Sequence, residues 1–293
     1  MRKWNRRDLL QTGALAVGVA ATTAFLTPRD ATADDRNGND GASLSGQQYT
    51  IKKGQQSAVV TELGAGLRSY VVRGVELLDT YPSNGYPTGS SYGQVLSPWP
   101  YRIDMGTYVF DGVQQQLPWS EPANQNAIHG LTRWMNWEAA DLHRNSVTMQ
   151  LRLHAQPGYP FVVELEYDYR LTDDGLTITH TMRNLGDTPV PYGVGMHPYF
   201  TVGTPLVNQS VLHLPAEQYF QTNARSIPIV PPVPVRDTPF DFRTPRPVGG
   251  TVFDTGFTGL SRDKNGVARV TLTAPSGRSI QVWLDRNHEF VQI

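Results

Sequence analysis

Residues 161–184 read FVVELEYDYRLTDDGLTITHTMRN. Phe161, Val163, Leu165, Tyr167, Tyr169 and Leu171 occupy every second position, with Val162, Glu164, Glu166, Asp168 and Arg170 between them. Side chains of a strand alternate between faces, so one apolar set at a period of two marks a strand buried on one face. Thr172-Asp173-Asp174-Gly175 supplies turn residues, and Leu176, Ile178, His180 and Met182 then resume the alternation against Thr177, Thr179, Thr181 and Arg183. Two such runs around a tight turn predict an antiparallel hairpin.

The pattern extends outward in both directions. Val147, Met149, Leu151 and Leu153 alternate with Thr148, Gln150 and Arg152, and Gln156-Pro157-Gly158 provides the next turn. Near the end of the chain, Ile280, Val282 and Leu284 alternate with Ser279, Gln281 and Trp283, and Phe290-Val291-Gln292-Ile293 starts a further strand. No helical period of 12 or more residues, no repeat of blade length and no nucleotide-binding glycine motif is present. The 27 Gly and 22 Pro suit many short strands joined by turns. Ile227 to Pro234, a Pro-rich stretch, reads as an extended surface crossing. An all-β fold, a large antiparallel β-sandwich, is expected.

Composition removes several classes of function. The net charge of −1 gives no electrostatic case for nucleic acid or an anionic membrane. The absence of cysteine removes disulfides, thiol nucleophiles and zinc–thiolate sites. The N-terminus, by contrast, reads as an address. Arg6-Arg7 and Asp8-Leu9-Leu10 precede a weakly apolar run of 14 residues from Gly13 to Leu26, short of a membrane span, and Ala31-Thr32-Ala33 fits a small-x-small cleavage site. Residues 1–33 are expected to be a twin-arginine signal peptide, 34–46 a disordered linker, and 47–293 the sandwich domain. The mature protein would then be periplasmic or extracellular, with no stable membrane insertion after signal cleavage.

Four stretches carry residues suited to chemistry: Pro98-Trp99-Pro100-Tyr101-Arg102-Ile103-Asp104, Asn126-Ala127-Ile128-His129-Gly130-Leu131, Gly193 to Phe200 with His197-Pro198-Tyr199-Phe200 at its end, and Phe253-Asp254-Thr255-Gly256-Phe257. Each alone suits a turn as well as a site. His180, on an apolar strand face, reads as a core residue, and His143, His154, His213 and His288 have no context that lifts them above packing or surface roles. The order of the four stretches is more specific. The string NLGDTPVPYGVGMHPYF, residues 184–200, resembles the aldose 1-epimerase (galactose mutarotase-like) family, in which a strand ending in Asn leads through a turn to His, then Tyr-Phe one residue later. The first stretch resembles that family's Asn-Arg-Ile segment, the second its Asn-Ala-x-His-Gly segment, and the last its Asp before an aromatic. The resemblance runs from about residue 50 to the end.

That resemblance implies a galactose mutarotase-like supersandwich. It also implies interconversion of the α and β anomers of a free aldose of glucose or galactose type, with no cofactor and no metal. His197 corresponds to the general acid that protonates the ring oxygen, and His129 to the second histidine. Arg102 and Asp254 correspond to groups holding ring hydroxyls, and Gln292 to a glutamine on a late strand in the sugar site. The chemistry is reasonable on its own terms, since opening a hemiacetal needs one proton delivered and one removed, and imidazole titrates near neutrality. Two departures stand out. Tyr101 occupies a position where the family commonly has Asn. The family's general-base Glu follows the Gln further along the chain, whereas this sequence reaches Ile293 one residue after Gln292. A C-terminally incomplete domain with impaired activity is therefore expected. The alternatives are a non-catalytic carbohydrate-binding protein and a hexose-6-phosphate 1-epimerase, the latter with Arg102, Arg133 and Arg243 as scattered phosphate ligands.

Overall fold

A computed structural model describes residues 3–4, 13–18, 43–88 and 91–293. Arg6-Arg7, the cleavage site at residues 31–33 and linker residues 34–42 lie outside the described residues. The expected end of the linker needs correction. The Gly46 N–H donates to the Ser43 carbonyl (3.0 Å), the Leu63 N–H donates to the Ser45 carbonyl (3.1 Å), and Ser45 is fully buried. Residues 43–46 therefore already belong to the folded domain.

Among the described residues there is no α-helix, only strands and three short 3₁₀ turns. The opening hairpin forms as predicted: Val163–Thr172 pairs antiparallel with Gly175–Asn184, and Tyr167 lies opposite His180. Ser146–Leu153 and Glu138–His143 extend the sheet on one side. On the other side come Gly13–Gly18, Ser279–Leu284, Ala268–Thr273, Val211–His213 and Arg246–Pro247. Gly13–Gly18 is antiparallel to both Gly175–Asn184 and Ser279–Leu284, so those two strands run parallel to each other across a gap one strand wide. The filling segment lies within the stretch read as a signal peptide.

A second sheet of Gln48–Lys53, Gln56–Thr61, Leu67–Val72 and Val75–Glu76 packs over the first. Ile51, Ala58, Val60 and Tyr70 from this layer meet Val147, Met149, Leu165 and Tyr169 from the other, all essentially inaccessible. Trp137, 1% exposed, sets its ring edge-on to Tyr167 at 5.6 Å. This is the sandwich that the alternation called for, each strand hiding one face in a shared core. A third sheet, Val233–Pro234, Ala216–Tyr219, Gly256–Leu260 and Val291–Gln292, covers a smaller core built on Phe242 and Phe257. The Pro-rich crossing thus contributes one short strand at the edge of this sheet.

Candidate active site

Three segments distant in sequence are laced together by backbone hydrogen bonds. Arg102–Ile103 pairs with Ala127–Ile128, so Ile128 faces Arg102. Val95–Leu96 pairs with Gly195–Met196, and the Gly93 N–H donates to the His197 carbonyl (2.8 Å). The Leu131 N–H donates to the Ser97 carbonyl (2.8 Å), which closes the bundle. Tight packing decides the residue types here. Gly130 has φ +70°, and a Cβ on it would stand 2.1 Å from the Ser97 carbonyl oxygen, so only glycine fits. Tyr101 and His129 both adopt φ +62°, a left-handed conformation that non-glycine residues rarely take. Their reciprocal bonds hold it. The His129 N–H donates to the Tyr101 carbonyl (2.9 Å), and the Tyr101 N–H donates to His129 Nδ1 (3.3 Å).

That second bond sets the chemistry of His129. A ring nitrogen that accepts a backbone N–H carries no proton, so the proton of the neutral ring sits on Nε2. Burial pushes the His129 pKa down to about 3, assisted by repulsion from His197 when that ring is protonated and from Arg133 and Arg102, and opposed by Glu121. His197 packs edge-on to His129 with ring centres 5.1 Å apart and stacks on Tyr199, also at 5.1 Å. Its pKa is lowered too, by burial first and also by Arg133, while the Asp254 charge pulls the other way. Two neutral imidazoles therefore sit side by side near neutral pH.

Asp254 and Gln292, expected to hold ring hydroxyls, come from the third sheet and the segment leading into it. Gly256–Leu260 pairs with Val291–Gln292, which places Gln292 opposite Gly256. Phe253 packs into the smaller core, its ring 5.5 Å from Phe242, while the Asp254 side chain stays 55% exposed. Gln292 Nε2 donates to Asp254 Oδ1 (2.9 Å), and Arg102 Nη1 donates to Oδ2 (3.3 Å). The Tyr101 hydroxyl reaches Oδ1 at 3.5 Å, and the Arg102 guanidinium lies 4.7 Å from the Tyr101 ring centre. Burial and the Asp254 charge raise the Tyr101 pKa against the opposing effect of Arg102, so the phenol remains a donor.

All five residues singled out from the sequence thus meet in one place. His197, Asp254 and Gln292 line a cavity of about 1800 Å³ together with Tyr101. His129 abuts His197, and Arg102 reaches Asp254. Among the described residues no cluster of His, Asp and Glu could hold a metal ion. One neighbour, Glu121, carried no sequence signal. Glu121 binds the Arg102 guanidinium through both carboxylate oxygens at 3.0 to 3.1 Å, and the fully buried Asn126 donates to Glu121 Oε2 (3.0 Å). The reading of His180 as a core residue also needs correction. It is only half-buried, lines the same cavity, stacks on Tyr167 at 5.9 Å and meets His288 edge-on at 5.6 Å. His288 in turn holds Asp285 through Nδ1 at 2.8 Å.

The fold and this cluster define a sugar-epimerase class of protein, and comparison with known proteins agrees. Residues 47–293 match the aldose 1-epimerase family, and the chain belongs to it. It is 31% identical over 250 residues to YihR of Escherichia coli K12, an uncharacterised protein, with 85% of this chain and 79% of that one covered. In structure it is similar to a GalM/aldose epimerase homologue from C. elegans (TM-score 0.67, 17% identity, 84% of this chain and 99% of the other). It is likewise similar to the galactose 1-epimerase of Lactobacillus acidophilus (TM-score 0.66, 15% identity, 83% and 93%). At such identities the two structures bear on the fold alone. Family membership makes the general activity that of an epimerase with a sugar as substrate.

Proposed function

We propose that this protein is an aldose 1-epimerase that interconverts the α and β anomers of free hexoses of glucose or galactose type. The observation that carries the reading is the meeting of a neutral histidine pair with an Arg–Asp–Gln cluster at one cavity. In the proposed reaction the imidazolium form of His197, a minority near neutral pH because burial lowers its pKa, gives its proton to the ring oxygen as the C1–O5 bond breaks, and a base takes the proton of the anomeric hydroxyl. The open aldehyde rotates about C1–C2, and closure with the reverse transfers yields the other anomer. His129 donates from Nε2 beside it, and Arg102, Asp254 and Gln292 hold hydroxyls by donating to and accepting from them.

The base is to be found among the carboxylates of the cavity. Asp254 already accepts hydrogen bonds from Arg102, Gln292 and Tyr101, so both its oxygens are engaged within the protein. Asp79 and Glu289 also line the cavity and are the other carboxylates to test. General base catalysis contributes roughly 10²–10⁴-fold in rate, so the turnover of this chain is proposed to depend on which of these carboxylates takes the proton. The bonds already made to Asp254 favour a second reading, a protein that binds sugar without turning it over. A 6-phosphate substrate is disfavoured. Arg102 is occupied by Glu121 and Asp254, Arg243 by Asp241 and Glu217, and Arg133 is buried against Ser91. Export through the twin-arginine route, proposed from residues 1–33 alone, would place the site among free sugars. Exchange between the two anomeric proton signals of glucose and galactose, followed by NMR with and without protein, tests the proposal. Accelerated exchange is expected for the free hexoses and not for their 6-phosphates. Saturable sugar binding without accelerated exchange would replace the epimerase reading with the binding one.

A further inference from the structure

We infer that Glu121 is the positioning residue of the sugar site, the group that aims Arg102 before substrate arrives; the inference rests on the sugar-site reading above. Arg102 is mostly buried, its side chain only 12% exposed, and it has two carboxylate partners of different kinds. Asp254 is 55% exposed and touches one guanidinium nitrogen at 3.3 Å. Glu121 is 20% exposed and takes the other face of the fork: Oε1 accepts from Nε and Nη2 (both 3.1 Å), and Oε2 accepts from Nε (3.0 Å). Paired, two-point bonds of this kind fix a planar guanidinium in direction as well as position. With Nε and Nη2 held from behind, Nη1 is the nitrogen left facing Asp254.

Glu121 is itself immobilised. Its backbone N–H donates to the Asn126 carbonyl (3.0 Å), and the Asn126 N–H returns a bond to the Glu121 carbonyl (3.2 Å). Asn126 Nδ2 splits its two protons between Glu121 Oε2 (3.0 Å) and the Arg225 carbonyl (2.8 Å). Arg225 then binds Asp104 through Nη2 (2.5 Å) and Nε (3.2 Å), which returns the network to the segment that carries Arg102. Burial works against ionisation of Glu121, yet the bonds from Arg102 and Asn126 outweigh it and hold the carboxyl below the usual range. The carboxylate thus stays charged, and the buried guanidinium keeps a full counter-ion when sugar hydroxyls displace it from Asp254. Without Glu121, Arg102 has Asp254 as its remaining carboxylate partner and withdraws that group from the substrate.

The test uses the full chain with Glu121→Gln, Arg102→Ala and the double variant. Glu121→Gln is expected to raise the KM for sugar, or the Kd where turnover is too slow to follow, by roughly 10- to 100-fold, with kcat within about threefold. The double variant is expected to be no weaker than Arg102→Ala alone, because Glu121 acts only through the arginine. A fall in kcat at constant KM, or losses that multiply, would overturn the assignment. A readout independent of sugar decides the matter even if wild type proves inert. In ¹⁵N NMR the Arg102 Nε–H, assigned by its absence in Arg102→Ala, should exchange slowly with water in wild type and rapidly in Glu121→Gln. Unchanged exchange would refute the role of Glu121, whereas absence of sugar binding by wild type with the exchange difference present would refute only the functional reading.

Discussion

His129 is expected to remain neutral in the folded protein far below the pH at which histidine ordinarily protonates, and this has a calculable effect on stability. The ordinary value is about 6.5, and burial in the site pushes it down to about 3. Below pH 6.5 the unfolded chain takes up a proton that the folded chain refuses. Stability is then lost as pH falls, and the contribution is fully present only above 6.5. Each proton is worth about 1.4 kcal/mol per pH unit in that window, so between pH 7.5 and pH 5.0 His129 alone should remove about 2 kcal/mol. Protonating Nδ1 would also break the bond from the Tyr101 N–H. The assay is urea unfolding of wild type and His129→Gln at both pH values, with the ring titrated by NMR in parallel. Wild type should lose about 2 kcal/mol more than the variant, and its His129 ring should show no inflection near 6.5. Equal losses, or an inflection near 6.5, would refute the argument that the site holds His129 as a neutral Nε2–H donor.

Three other perturbations follow from the geometry. Gly130→Ala drives a Cβ into the Ser97 carbonyl and should cost at least about 3 kcal/mol in urea unfolding, whereas Gly112→Ala, at φ +79° with nothing within 4 Å, should cost only about 1 kcal/mol; similar losses would contradict the close approach. Tyr101→Asn removes the ring beneath Arg102 and the hydroxyl on Asp254, so the ratio of kcat/KM for glucose and galactose should change while urea stability stays within about 1 kcal/mol; an unchanged ratio would mean that Tyr101 does not shape the pocket. A chain beginning at residue 34 lacks Gly13–Gly18, and amides on the edges of Gly175–Asn184 and Ser279–Leu284 that face the gap should exchange with solvent faster than in the full chain; equal protection would show that the N-terminal strand does not seal the sheet.

Strands were legible in the sequence where one face is buried and the other wet. Val163, Leu165, Tyr167, Tyr169 and Leu171 are all buried, and the residues between them are not. A period of two carries that information locally. The pairing of Gly13–Gly18 inside the largest sheet was not legible, because a run of small apolar residues reads equally as an export signal. The site residues were legible as short motifs, and their convergence was expected only through resemblance to a family. Glu121 was missed for a physical reason. Its segment, SEPANQ, looks like an ordinary polar turn, and its partner Arg102 lies 19 residues away in sequence. The Asp254–Gln292 bond likewise depends on register between strands far apart in sequence. His180 was misread because alternation reports which face a residue occupies and not whether that face borders a cavity.

The most direct test of the central claim is polarimetry on fresh α-D-glucose with the full chain, beside His197→Ala. The account predicts mutarotation faster than buffer and a return to the buffer rate in the variant. A rate that persists in His197→Ala would contradict the assignment of His197 as the group that protonates the ring oxygen.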